Sequence, residues 1–235
     1  MLFLHEVHQV AGRREEDFEA AYRDEWMPTL AKGDDARLLY FLHHAHGTGR
    51  AYNVVTITAV RDGAAWEQLM LRLHEGDLRA WSGEVDRLRH RVSAKTLVPV
   101  PWSPLQDVDL ASVPTTGRHP LTLFMEDTAW PYEGGLDEYL EAARTNYAPT
   151  LDEGRRAGRS LLELQGVFRP AWGSGRWREV VLWQKVVEPA GITPLVSTEV
   201  PAEHRAPGTW MHDALDVRDD WESKLLRTTA WSPFF

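Results

Sequence analysis

Two short stretches of the sequence are nearly alike: "VPWSPL" at residues 100–105 and "TTAWSPFF" at residues 228–235. Their shared tripeptide, Trp-Ser-Pro, is uncommon, and one copy lies near the middle of the 235 residues while the other lies at their end. Such a recurrence is typical of an internal repeat, and a repeat of this length would determine the fold of the whole chain.

Three further matches follow the same order along the chain. They are the Pro-Thr-Leu segments 28–30 and 149–151, the Gly-rich segments 47–50 and 173–176, and the pair Trp81 and Trp210. The separation grows only from 121 to 129 residues, as two small insertions in the second copy would cause. We therefore predict two repeats, 1–105 and 121–235, joined by a linker at 106–120.

Each predicted repeat has the element order β-α-β-β-α-β. In the first repeat, strands are predicted at 2–8, 37–46, 51–60 and 95–102, with helices at 14–32 and 64–91, the second broken near Gly76. In the second repeat, strands are predicted at 121–128, 159–169, 177–187 and 224–231, with helices at 135–151 and 209–222. This order is that of the ferredoxin-like unit, whose helices leave one sheet face uncovered. Two such units can pack sheet to sheet, which predicts an α+β barrel with the helices outside.

A resemblance supports this prediction. The element order, with "EWMPTL" (25–30) and "NYAPTL" (146–151) at the ends of the first helices, resembles a tandem member of the dimeric α+β barrel superfamily, and within it NIPSNAP-like proteins. The resemblance implies relatives that include cofactor-independent monooxygenases of aromatic polyketides, haem-degrading monooxygenases, chlorite dismutase-like haem proteins and stress proteins. A fold with such varied members leaves the function open.

Composition limits the classes of function. The formal net charge is −9, and no basic stripe is present to neutralise nucleic-acid phosphates or to meet an anionic membrane. Cysteine is absent, which excludes disulfides, thiolate nucleophiles and Cys-ligated metals. Neither a leader-like N-terminus nor a long apolar run occurs. We expect a cytoplasmic protein with a small-molecule substrate and no nucleic-acid or membrane partner, and a homo-oligomer stays open. The preference for arginine over lysine indicates a GC-rich, bacterial genome.

Histidines are concentrated in the first repeat, which holds seven of the ten. His44 and His46 are two residues apart on a predicted strand, so their side chains should share one face. Such a pair suits acid–base chemistry, two ligands of a divalent metal, or solvation without a function. Together with His5, they are the predicted catalytic residues.

The predicted substrate pocket lies beside the first helix. Tyr22 and Trp26 lie on its sheet-facing side, and the resemblance implies a ligand between helices and sheet. His43, Asn53 and Trp81 complete this predicted substrate-binding set. Ordinary core packing is the competing interpretation, because aromatic residues at helical spacing usually form the core.

No organic cofactor is predicted, because the sequence lacks a Gly-rich phosphate loop or dinucleotide fingerprint. Haem would need an axial histidine under a helix, for which His74 and His212 are the candidates, and a metal would need His44 and His46. The predicted function is a small-molecule enzyme for an apolar, aromatic or polyketide-like substrate, either monooxygenase-like or an acid–base cyclase or isomerase. The alternatives are a non-catalytic NIPSNAP-like binding or structural protein and a haem- or metal-binding member of the fold.

Overall fold

The computed structural model describes residues 1–174 and 176–235; Gly175, in the second predicted Gly-rich turn, lies outside the described residues. Eight strands of alternating or β-branched apolar sequence close into one antiparallel barrel. They are β1 (Leu2–Val10), β2 (Ala36–His44), β3 (Asn53–Val60), β4 (Arg89–Pro99), β5 (Leu123–Trp130), β6 (Leu162–Pro170), β7 (Val180–Val186) and β8 (Asp220–Thr228). The order around the barrel is β1-β3-β2-β8-β5-β7-β6-β4.

The helices pack outside the barrel. They are α1 (Glu15–Ala20, Ala21–Trp26 and Met27–Leu30 in succession), α2 (Gly63–His74), α3 (Arg79–Leu88), α4 (Leu136–Ala142, Ala143–Tyr147 and Ala148–Arg156 in succession), α5 (Ile192–Ser197) and α6 (Trp210–Asp213). The middle segments of α1 and α4 are π-helical. Pro28 and Pro149 follow these segments, and a proline supplies no backbone N–H for the regular helical ladder. The two Pro-Thr-Leu segments thus mark the same local widening in both helices.

The strand order confirms the predicted fold class. Within the first half of the chain the order is β4-β1-β3-β2, and within the second half it is β8-β5-β7-β6, which is the ferredoxin-like order in both cases. The halves join at two seams, where β2 pairs with β8 and β4 pairs with β6. The boundaries 1–105, 106–120 and 121–235 stay a prediction.

The Trp-Ser-Pro segments hold the two seams together. Ser103 Oγ accepts a hydrogen bond from the Val167 amide of β6 at 2.9 Å, and Ser232 Oγ accepts one from the Phe41 amide of β2 at 3.1 Å. Trp231 packs against the core under α1, which belongs to the other half of the chain. Through its serine, each copy of the tripeptide therefore hydrogen-bonds the end of one half of the chain to a strand of the other half.

One end of the barrel interior is apolar and closed. Leu110 and Val113 come from the predicted linker, yet both are buried in the interior core beside Phe3 and Tyr40. Phe234 also packs there after the last strand. The segment 106–120 therefore contributes side chains to the core as well as connecting the halves.

Several predicted element bounds are wrong. The predicted helix at 209–222 is only the short α6 followed by a single turn at Ala214–Asp216, because Asp220 and Trp221 already pair with β5. Strand β2 ends at His44 and β4 begins at Arg89, where it pairs with Val10. For the last helix and for β4, pairing with a distant strand overrides the local pattern. Strand β2 ends early because the turn begins at His46. Among the described residues, no helix has the length and apolar character needed to cross a membrane.

Candidate active site

Strand β1 presents a histidine to each side of the barrel wall. Its side chains alternate, so Phe3 and Val7 belong to the interior core, whereas Val10 packs under the helices. His5 shares the interior face, and His8 shares the helix face. Both histidines are buried, with 1% and 0% of their surfaces exposed, so each must find its polar partners within the protein.

His5 pairs with a carboxylate from the opposite strand of the barrel. Its Nε2 lies 2.6 Å from Oε2 of Glu126 on β5, and Glu126 is fully buried. Burial alone would raise the pKa of Glu126, but the charge that His5 gains on protonation, the hydrogen bond from His5 and the charges of Lys224 and Lys95 hold it well below its ordinary value. Ionised Glu126 can only accept, so His5 donates through Nε2 and its second nitrogen, Nδ1, is left for other chemistry.

Two lysines complete the charged cluster. Lys224 Nζ donates to Glu126 Oε1 at 3.2 Å and lies 3.5 Å from Glu222. Burial lowers the pKa of Lys224, but Glu126 and Glu222 more than offset this and raise it, so the ammonium stays charged. Lys95 on β4 makes a close salt bridge with Glu179. The lysines therefore bring two ammonium groups to this end of the barrel, each paired with a carboxylate.

A cavity of about 230 Å³ lies at this end, with His5, Lys95, Lys224, Thr128 and Trp130 in its lining. Three buried polar atoms of these side chains have no hydrogen-bond partner among the described residues: His5 Nδ1, Thr128 Oγ1 and Trp130 Nε1. Buried polar atoms in folded proteins nearly always have partners. The unpaired atoms around this polar cavity therefore point to a small polar ligand or to water. We call this region the barrel-end cavity.

His44 approaches the same charged cluster, whereas His46 does not. His44 lies at the last position of β2, and burial together with the Lys224 charge lowers its pKa. Both of its ring nitrogens are buried without a partner in the described part of the chain. A Cβ on Gly49 would lie 2.6 Å from His44 Nδ1, so only glycine lets the turn close over this ring. His46 lies in that turn and is exposed, so the predicted same-face pair of His44 and His46 is wrong.

The other predicted binding residues divide between the two faces of the sheet. Asn53 begins β3, and its buried Oδ1 has no partner within the described residues. His43 points under α1, where its Nδ1 lies 3.0 Å from Glu15 and its Nε2 lies 3.5 Å from Glu19. His43 therefore fastens the first helix to the sheet and lies on the opposite face from His44.

Tyr22, Trp26 and Trp81 fill the space under the first helix. Tyr22 and Trp26 are only 1% and 2% exposed, and Trp26 stacks on Trp81 with ring centroids 4.4 Å apart. The rings contact one another, and Trp81 Nε1 donates to the Ala21 carbonyl at 3.1 Å. This is the core packing that aromatic residues at helical spacing usually produce, so the predicted pocket in this layer is occupied by side chains.

Neither the haem nor the metal prediction finds a fitting set of ligands. His74 is exposed at the end of α2, and His212 is half-buried and pairs with its neighbour Asp213 at 2.9 Å. Neither histidine lies under a helix facing the sheet, as an axial ligand of haem would need. Within residues 1–174 and 176–235, no group of three or more His, Asp or Glu side chains has a metal-binding arrangement.

Sequence reasoning missed Glu126, Lys224, Lys95 and Glu179. Glu126 had a signal, because it lies 121 residues after His5, the same separation as between the two Pro-Thr-Leu segments. The predicted repeat therefore already placed His5 and Glu126 at corresponding positions. Nothing in the sequence showed that these two positions meet across the barrel.

The fold is similar to that of several solved structures. Two are proteins provisionally assigned as monooxygenases. The one from Lactobacillus acidophilus NCFM has a TM-score of 0.59 and 11% identity, with 99% of this chain and 95% of that chain covered. The one from Fusobacterium nucleatum has a TM-score of 0.62 and 7% identity, with 99% and 94% covered. An anthrone oxidase-like protein has a TM-score of 0.56 and 9% identity, with 97% and 91% covered.

The predicted resemblance to NIPSNAP proteins is matched only in part. A NIPSNAP domain protein from Burkholderia xenovorans covers 43% of this chain, with 97% of its own length, a TM-score of 0.37 and 19% identity, which is too weak to carry an argument. No family model and no curated protein matches the sequence. At these identities the comparisons establish the architecture alone, and the chain shares its fold with these solved structures.

Proposed function

We propose that the chain is a small-molecule enzyme that removes a proton from its substrate in the barrel-end cavity, with His5 as the base. The single observation that carries this proposal is the buried His5–Glu126 pair, which leaves His5 Nδ1 without a partner among the described residues beside a cavity. A carboxylate that binds one nitrogen of an imidazole orients the ring and stabilises the positive charge formed when the other nitrogen takes a proton.

The lysines stabilise the negative charge that develops in this reaction. When a C–H bond next to a carbonyl group breaks, its proton moves to His5 Nδ1 and its electron pair moves onto the carbonyl oxygen. Lys224 and Lys95 both line the cavity, and fixed ammonium groups there stabilise the resulting enolate without reorganisation. In a conjugated substrate, return of the proton from His5 Nδ1 to the far carbon of the dienolate completes an isomerisation. In a cyclisation the enolate carbon attacks a second carbonyl group, and the alkoxide formed takes the proton back from His5 Nδ1.

An oxygenase is the second candidate, because provisionally assigned monooxygenases and an anthrone oxidase-like protein share the fold. In that reaction dioxygen would be the oxidant and would accept the electron pair of the carbanion. Both candidates begin with the same proton removal. They differ in whether the product contains oxygen from the gas.

The test measures hydrogen–deuterium exchange at the acidic C–H positions of benzoylacetate and phenylpyruvate in D₂O, followed by NMR. We expect the wild type to accelerate exchange and His5→Gln to lower the enzymatic rate by about 100-fold or more, the usual contribution of a general base. The matched control is His46→Gln, which changes an exposed histidine and should leave the rate unchanged. Repeating the reaction under argon and under ¹⁸O₂ separates isomerisation from oxygenation.

Two outcomes would overturn the proposal. If His5→Gln exchanges protons as fast as the wild type, His5 is not the base. If the wild type accelerates none of these exchanges although the substrates bind, the non-catalytic binding protein becomes the better interpretation.

A further inference from the structure

A larger cavity, of about 650 Å³, lies beside the turn between β6 and β7. Val98 of β4 and Leu136 of α4 contribute apolar surface to it, and Trp172 and Trp177 come from the turn. We call this cavity the hairpin groove. It shares two lining residues, Arg176 and Glu179, with the barrel-end cavity, so the two spaces adjoin.

The two tryptophans are unusually exposed for side chains of their size. Trp172 is 84% exposed and Trp177 is 59% exposed, and their ring centroids lie 4.5 Å apart in an edge-to-face arrangement. Large apolar side chains that line an open groove are typical of binding sites. The corresponding turn of the first half carries Tyr52, whose ring packs closely against Gly12 instead.

The hairpin groove is also positively charged. Its charged lining consists of Arg169, Arg176, Arg178 and Glu179. Glu179 is paired with Lys95, and Arg176 is held by Asp220 at 2.7 Å and lies over the Trp130 ring at 4.8 Å. Arg169 and Arg178 make no salt bridge among the described residues, although the chain as a whole carries a net charge of −9. Uncompensated positive charge in such a groove attracts an anion.

From these observations we infer that the hairpin groove binds the aromatic carboxylate portion of the substrate. The aromatic ring packs against Trp172 and Trp177, and the carboxylate pairs with Arg169 or Arg178. Resting on the proposed function, the inference adds that the reactive carbon of the same substrate extends past Glu179 towards His5. The substrate class is then an aromatic carboxylic acid that also carries an acidic C–H group next to a carbonyl group.

The binding test uses 2-naphthoate as the probe and isothermal titration calorimetry as the measurement. The neutral amide 2-naphthamide tests the charge requirement, and cyclohexanecarboxylate tests the aromatic requirement. We expect 2-naphthoate to bind the wild type at least tenfold more tightly than either analogue. The double variant Trp172→Ala/Trp177→Ala should weaken 2-naphthoate by roughly tenfold or more, as the loss of aromatic packing predicts. Arg169→Gln/Arg178→Gln should remove the preference for 2-naphthoate over its amide.

Trp66→Ala is the matched control, because Trp66 is a partly exposed tryptophan on α2 with 37% exposure. It should leave the affinity unchanged. The inference is wrong if 2-naphthoate does not bind, or if the double tryptophan variant binds it as tightly as the wild type.

His5→Gln separates this inference from the proposed function. We expect it to bind 2-naphthoate with wild-type affinity, because His5 lines only the barrel-end cavity. Loss of proton exchange with retained 2-naphthoate binding in His5→Gln supports both ideas. The double tryptophan variant could instead exchange protons at the wild-type rate and bind 2-naphthoate with unchanged affinity. That result would contradict substrate binding in the hairpin groove but would leave the proposed function supported.

Discussion

The barrel-end cavity and the layer under α1 each bury a histidine from strand β1, but their hydrogen bonds differ. Under α1, Arg89 Nη1 donates to His8 Nδ1 at 2.7 Å, and His8 Nε2 lies 3.1 Å from Thr56 Oγ1. Thr56 in turn donates to Glu6 at 3.3 Å, so every polar group of His8 has a partner. In the barrel-end cavity, His5 keeps one nitrogen unpaired within the described residues. A satisfied network stabilises a fold, whereas an unpaired atom beside a cavity remains able to bind or react.

The protonation of the two regions follows the same division. Burial, the Arg89 charge and the charge that His5 gains on protonation lower the pKa of His8 well below its ordinary value, so His8 stays neutral. Burial also raises the pKa of Glu6, although Arg89 and Thr56 oppose it. The pKa of Glu126 moves the other way, because His5 and two lysines surround it. The ionised form of Glu126 is therefore stabilised at the barrel end, whereas the ionised form of Glu6 is disfavoured in the layer under α1.

The largest expected change in stability follows from removing the charge of Glu126. Glu126→Gln leaves Lys224 and His5 without their buried partner, so we expect the free energy of unfolding at pH 7 to fall by about 3–5 kcal/mol. Urea denaturation followed by circular dichroism measures the change. Glu6→Gln is the control in the helix layer and should cost much less, because ionised Glu6 is already disfavoured there. Equal losses in both variants would show that the two regions do not differ in this way.

A smaller effect is expected from the structural histidine. His8→Gln leaves Arg89 and Thr56 incompletely bonded in a buried site, which should cost about 1–3 kcal/mol of stability. The same variant should keep the wild-type rate of proton exchange in benzoylacetate. His5→Gln should do the opposite and lose the rate. If His8→Gln is folded and stable but exchanges protons slowly, the proton-removing site lies under α1 instead.

The pH dependence of stability separates the two carboxylates further. The folded pKa of Glu126 is depressed, so its contribution is fully present above the ordinary value of 4.5 and is lost as pH falls through the folded pKa. The difference in unfolding free energy between wild type and Glu126→Gln should therefore shrink below pH 4.5. For Glu6 the folded pKa is raised, so any advantage of Glu6→Gln is largest at neutral pH and declines as pH falls towards 4.5. Denaturation curves from pH 7 to pH 3 for the three proteins measure both trends, and parallel curves would contradict the assignment.

The smallest effect concerns a residue that the sequence assigned to substrate binding. Tyr22→Phe removes a buried hydroxyl that lies 3.3 Å from His8 Nε2, and we expect a cost of about 0.5–1.5 kcal/mol. The proton-exchange rate and the 2-naphthoate affinity should both stay unchanged, because Tyr22 lines neither cavity. A change in either the exchange rate or the affinity would show that Tyr22 takes part in substrate binding.

Local patterns predicted most of the fold, and the errors have a common cause. The alternation in β1 and the β-branched run in β3 lie within one strand each, so the sequence shows them directly. The predicted helix at 209–222 is wrong because its second part pairs with β5, which is remote in the sequence. For the candidate site, His5 and His44 were predicted, but Glu126 and Lys224 come from the other half of the chain. Their proximity exists only after the barrel closes.

The sequence by itself determined most of the order of elements, since periodicity and turn residues are properties of neighbouring residues. Tertiary structure alone decided which residues meet. Closure of the barrel places β1 opposite β5 and so brings His5 against Glu126, and it directs His8 on the same strand into a filled aromatic layer. The physical reason is that a strand alternates its side chains between two faces, while only the packing of the other strands and helices decides what each face meets.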